Sequence, residues 1–101
     1  MLIGCPKEIK PQEFRVGMPP DAAREAIAHG HEMLVEAHAG DGAGFADADY
    51  VAAGAKIVEG ADEVFASADM IVKVKEPQAV ERKRLREGQL LFTYLRDLYR
   101  L

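Results

Sequence analysis

The stretch Met70-Ile71-Val72-Lys73-Val74-Lys75-Glu76-Pro77 constrains the fold more than any other part of the chain. Ile71-Val72-Lys73-Val74 is short and rich in β-branched residues, which predicts a strand rather than a helix. Its apolar start calls for burial on both faces, as in the interior of a parallel sheet. Lys73 and Lys75 are spaced to share one face of a strand. Pro77 has no N–H and biases Glu76 towards extended geometry, so the strand is predicted to stop here. Open α/β sheets bind ligands at the carboxyl ends of their strands. Lys75 thus sets an ammonium at such a rim, either for an anionic small molecule or, like Lys73, as a solvating charge.

Around this stretch, strand and helix signals alternate. Leu2-Ile3-Gly4-Cys5, ended by Pro6, reads as strand one. Residues 7–18 are polar and irregular, carrying Glu8, Glu13 and Arg15. Pro19-Pro20-Asp21 opens a helix with a proline suited to the first turn and an acid favourable to the dipole, and Gly30 stops it. Met33-Leu34-Val35 is strand two, followed by a glycine loop from Gly40 to Gly44. Asp47 is placed to cap a short helix that ends at Gly54. Lys56-Ile57-Val58 is strand three, and residues 61–68 form a helix through Val64 and Phe65. The organising strand comes fourth. A charged helix is expected over residues 79–86, then strand five at Leu90-Leu91-Phe92-Thr93-Tyr94. This order predicts a three-layer α/β/α domain with a mainly parallel sheet, Rossmann-like or flavodoxin-like, with strand four interior.

The 101 residues, 49% of them hydrophobic, suffice for one modest core. A formal charge of −4 argues against nucleic acid or an anionic membrane as partner. No apolar run is long enough to cross a bilayer, and no leader pattern opens the chain. Cys5 is the single cysteine, so no intrachain disulfide can form and a cytoplasmic location is expected.

Three further stretches bear on function. Gly40-Asp41-Gly42-Ala43-Gly44-Phe45 lies between a strand and a helix, yet Phe45 stands where the dinucleotide fingerprint needs Gly or Ala, so a plain turn is expected. Arg82-Lys83-Arg84-Leu85-Arg86, flanked by Glu81 and Glu87, reads as a solvated helical face. His29, His31 and His38 lack metal-ligand spacing, and no metal site is expected. His38 alone follows a strand's carboxyl end. Cys5 is expected to act as a small hydrophobe.

Several pieces in order carry a resemblance. They are Cys5-Pro6-Lys7-Glu8-Ile9-Lys10 with Glu13-Phe14-Arg15-Val16, then Gly30-His31-Glu32-Met33-Leu34-Val35-Glu36, Ala53-Gly54-Ala55, the Ile71–Pro77 stretch, and Arg86-Glu87-Gly88-Gln89-Leu90-Leu91-Phe92-Thr93-Tyr94-Leu95. The chain resembles the opening of bacterial alanine dehydrogenases in register from Met1 to Leu95. Proton-translocating transhydrogenases share the domain, but the Val74–Pro77 and Phe92–Leu95 pieces look closer to alanine dehydrogenase. The resemblance implies a substrate domain acting on L-alanine or pyruvate, with Arg15 and Lys75 holding the small carboxylate. It implies NAD for the full-length family, bound by a separate dinucleotide domain that residues 1–95 do not supply.

The resemblance also places a proton-transfer histidine just after Phe92-Thr93-Tyr94-Leu95, where this chain has Arg96. Arginine stays protonated and cannot shuttle a proton as imidazole does. Residues 96–101 form a divergent tail, and Leu95, just before it, recurs with Leu98 and Leu101 at helical spacing. Pro19 also replaces the family's capping hydroxyl. Two readings follow: the truncated substrate-binding half of an NAD-dependent alanine dehydrogenase, without catalytic residues or a bound cofactor of its own, or a free-standing non-catalytic binding or interaction module that keeps the carboxylate site. Strand five and the tail are expected to mediate self-association into a homo-oligomer.

Overall fold

The computed structural model describes residues 1–94 and 98–101. The β-branched and apolar runs form β1 (Leu2–Cys5), β2 (Glu32–Glu36), β3 (Lys56–Val58), β4 (Met70–Lys73) and β5 (Leu90–Thr93), and a further strand β6 (Leu98–Arg100) follows. Among the described residues these make one sheet in the order β3-β2-β1-β4-β5-β6. Every neighbouring pair is parallel except β5–β6. The parallel sheet with β4 interior is thus as the sequence predicts, and its order is Rossmann-like rather than flavodoxin-like.

Side chains alternate across this sheet and build a core on each face. Ile3, Cys5, Met33, Val35 and Val72 pack on one side with Ala23 of α1 (Pro20–Ala28) and Tyr50 of α2 (Asp47–Ala52). Leu34, Ile71 and Leu91 pack on the other with Val64 and Phe65 of α3 (Ala61–Ser67). Gly4 points at α3, where a Cβ would come within 2.8 Å of Ala68 Cβ and Val64 Cγ1, so β1 admits no side chain there. Helices therefore cover both faces, giving the three-layer arrangement.

Five expectations are corrected. The helix α4 spans only Ala79–Arg82, because the basic run after it is drawn onto other partners. Arg84 pairs with Asp62 at 2.6 Å, and Arg86 Nη2 donates to the Ala68 carbonyl at 2.7 Å. The run is therefore not simply a solvated helical face. α2 starts after Ala46, with the Asp49 carboxylate accepting from the Ala46 N–H, while Asp47 instead accepts from the His38 N–H. Lys73 is not a solvating charge: it is 1% exposed. Last, Leu98–Arg100 is a strand, not a helix, and pairs antiparallel with β5, so β5 is not an edge. The helical spacing of the leucines misled because pairing with β5 satisfies backbone groups that an isolated turn would leave to water. Leu95 and Arg96 lie outside the described residues.

Candidate functional site

The chain leaves β1 towards β2 on one side of the sheet, while β4 and β5 lie on the other. A crevice opens where strand order reverses, at the carboxyl ends of β1 and β4. Residues 6–18 run along it, and their path is set by a few strong contacts. Glu8, buried, receives the Lys73 ammonium at 3.0 Å and the backbone N–H groups of Val74 and Lys75 at 3.0 and 3.2 Å. Glu81 Oε2 stands 3.2 Å from the same ammonium. Further along, Gly17 lies so close to β4 that a Cβ would meet the Val72 carbonyl oxygen at 2.5 Å. The hydroxyls of Tyr50 and Tyr94 donate to the carbonyls of Met18 and Gly17.

This bracing brings Arg15 and Lys75 to one point. The point is the carboxylate of Glu13. Arg15 Nε donates to Oε2 at 2.9 Å and Nη2 to Oε1 at 2.8 Å, a bidentate grip, while the Arg15 N–H adds a third bond at 2.9 Å. Lys75 Nζ approaches Oε1 to 3.9 Å from the end of β4. The Arg15 hydrogen bonds lower the pKa of the Glu13 carboxyl to about 2, and the partnership raises that of Arg15. A cavity of about 300 Å³ opens here, lined in part by Lys7, Lys10, Glu13, Arg15 and Asp41. A larger one, about 480 Å³, lies beside His31 and Lys56 at the amino ends of the strands, remote from both cations.

Nearby, Lys10 pairs with Glu76, holding the Glu76 carboxyl near a pKa of 2. His38 Nδ1 lies 2.9 Å from Asp41, and both side chains are exposed. His38, Asp41 and Asp47 bring one ligand atom each within 4.8 Å, but two of the three are exposed. Cys5 is fully buried, and burial pushes its thiol up to about 12, which leaves it protonated and inert.

The glycine loop does not fit a dinucleotide. Residues Asp41–Ala43 form a 3-10 turn closed by Gly44 at φ +88. A Cβ on Gly40 would strike the Phe45 carbonyl oxygen at 2.8 Å, and one on Gly42 the Phe14 carbonyl oxygen at 2.9 Å. The room these glycines leave is filled by the protein's own backbone, where a pyrophosphate cradle would keep it open.

The sequence singled out Arg15 and Lys75 and missed what joins them. Glu13 is two residues from Arg15, a signal available in the sequence, but its reach to Lys75 depends on the path of residues 6–18. Glu8, Lys73 and Glu81 carried no such signal, since their partnership spans the length of the domain.

Fold and site together define a doubly wound α/β domain with a cationic carboxylate grip at its topological switch point. The family model "Alanine dehydrogenase/PNT, N-terminal domain" matches residues 4–99, and the chain belongs to that family. It is 53% identical to the alanine dehydrogenase of Halomonas elongata over 95 residues, and 52% identical to that of Mycobacterium tuberculosis. Each alignment covers 94% of this chain and 26% of the relative, so the chain spans about a quarter of the length of these curated relatives. Among solved structures, an L-alanine dehydrogenase superposes with a TM-score of 0.90 at 53% identity, covering 93% of this chain and 26% of that one. A transhydrogenase from Sinorhizobium meliloti superposes at 0.86 and 30% identity, covering 92% and 26%.

Proposed function

We propose that this chain is the substrate-binding segment of an NAD-dependent L-alanine dehydrogenase, holding the carboxylate of pyruvate or L-alanine through Arg15 and Lys75. The observation that carries the reading is the convergence of both cations on one carboxylate, that of Glu13. A guanidinium fork matches a carboxylate, and an ammonium beside it can polarise a keto oxygen. The Glu8–Lys73–Glu81 network fixes where β4 ends and so where Lys75 stands. NAD would supply the hydride acceptor, but the glycine loop offers it no cradle, and the redox step belongs to other parts of a full-length enzyme. By itself the chain binds without turning over. The single buried cysteine supports a cytoplasmic setting.

A second reading, a free-standing binding module, draws on one observation. β6 seals β5 from within the same chain, as a self-contained domain would.

Titration with pyruvate tests the carboxylate site. NMR signals near Arg15 and Lys75 should move with millimolar affinity, typical of a few polar contacts without domain closure. Lys75→Ala should weaken binding about tenfold without unfolding the domain. Signals that stay fixed at high pyruvate would refute the reading.

A further inference from the structure

We infer that Glu13 is a specificity-determining residue that restricts the Arg15–Lys75 site to monocarboxylates, an inference that rests on the carboxylate-binding reading above. Glu13 engages one edge of the Arg15 guanidinium, the Nε–Nη2 edge. The Nη1 group takes no part in that grip, on a side chain that is 63% exposed, whereas the Glu13 side chain is only 5% exposed. The Glu13 carboxylate thus leaves the Nη1 side of Arg15 available beside the cavity that both residues line, while keeping its own charge inside the site. Its low pKa keeps that charge present throughout the working pH range.

The charges then decide what fits. Two cations and one anion leave a single net positive charge at the grip. Of the other nearby cations, Lys10 is matched by Glu76, and Lys73 faces two carboxylates, Glu8 and Glu81, which leaves that group with one net negative charge. Lys7 and Asp41, which also line the cavity, carry opposite signs. One monocarboxylate neutralises the grip formed by Arg15, Lys75 and Glu13. The second carboxylate of a dicarboxylate would add its charge to that of Glu13, and like charges at this range disfavour binding on the order of tenfold.

The test compares pyruvate with malonate by NMR titration at constant ionic strength, in the 101-residue chain and in its Glu13→Gln and Glu13→Asp variants. The native chain should prefer pyruvate. Glu13→Gln should shift the pyruvate-to-malonate ratio about tenfold towards malonate, and Glu13→Asp, which keeps the charge, should restore the preference for pyruvate. An unchanged ratio in folded Glu13→Gln overturns the role of Glu13 and leaves the carboxylate site standing. If Glu13→Gln fails to fold, native chain that binds malonate as tightly as pyruvate overturns it instead. Failure of both anions to bind native chain overturns the site itself and this inference with it.

Discussion

Glu8 and Lys73, separated by 65 positions, meet at 3.0 Å between side chains that are each 1% exposed. Glu81, equally buried, closes the other side of the ammonium at 3.2 Å. Glu8 also receives the N–H groups of Val74 and Lys75. One carboxylate thereby ties the segment after β1 to the end of β4, and Glu81 carries the tie into the first turn of α4. Glu81 Oε1 meanwhile accepts from the Gln78 N–H, so this residue serves as helix cap and as counter-ion.

A buried ion network adds little net stability compared with a well-packed apolar one, but removing one member leaves the others without compensation. Lys73→Met would leave two buried carboxylates facing each other. The expected loss is about 3–5 kcal/mol, a large share of the roughly 5–15 kcal/mol that holds a domain of this size. Urea unfolding checks this, and a loss below about 1 kcal/mol would show that the network relaxes into solvent.

Acid should weaken the domain through a definable window. Glu13 and Glu76 both have folded pKa values near 2 against an ordinary value of 4.5. Because the folded values are depressed, the stability these groups contribute is fully present above about pH 4.5 and drains away as the pH falls towards 2. Glu36 works oppositely: burial raises its pKa, so its ionisation opposes folding as the pH rises above its ordinary value. Glu13→Gln should flatten the fall in urea midpoint below pH 4.5. An unaltered pH profile in that variant would show that the Arg15 grip does not persist in solution.

The parts of the fold legible in the sequence are those decided locally. Ile71–Val74 reads as a strand because β-branched residues suit a pleated surface whatever surrounds them, and the glycine at position 54 marks the end of α2 because its φ of +100 disfavours other residues. What stayed hidden depends on distant partners. Lys73 looks like a solvating charge until Glu8 and Glu81 arrive from remote parts of the chain. The basic run after Glu81 looks helical until Arg86 and Gln89 turn to the open carbonyls of Phe65 and Ala68 at the end of α3. The tail has leucines at helical spacing, and only the unpaired flank of β5 makes a strand preferable. Arg15 and Lys75 were named through family resemblance; spacing alone marks Lys75 as a charge at a strand end and no more.

The 101-residue chain should not oxidise NADH in the presence of pyruvate and ammonia. Hydride transfer needs a nicotinamide held against the substrate, and that positioning supplies much of the rate. The glycine loop is packed with backbone, and Arg96, outside the described residues, cannot exchange a proton at working pH. Stopped assays with purified chain should match the buffer blank. Turnover that rises in proportion to added chain would refute this and make His38, exposed beside Asp41 near the crevice, the first residue to replace.

The last expectation concerns self-association, and it follows from where the sheet ends. β6 lies outermost, paired to β5 through Leu90–Arg100, Leu91–Tyr99 and Phe92–Leu98. Its other flank carries no strand among the described residues. An edge of this kind offers unpaired N–H and C=O groups to another chain. Its side chains favour the same outcome, since Leu98, Tyr99 and Leu101 are 52%, 40% and 39% exposed. Arg100 is the main polar residue on the strand to discourage contact. Antiparallel pairing of β6 with β6 of a second copy would close the edge around a two-fold axis and continue the sheet through both domains. Light scattering should therefore give a dimer for the intact chain. Arg100→Pro removes a backbone donor from the outer flank, since the Leu101 N–H, on the same strand edge as that of Tyr99, is spent on the Gln89 carbonyl, and should shift the population to monomer. A chain ending at Tyr94 exposes β5 itself, with Leu91 and Phe92 behind it, and should form larger and less soluble species. An intact chain that remains monomeric and soluble at high concentration would show that β6 ends the sheet unaided.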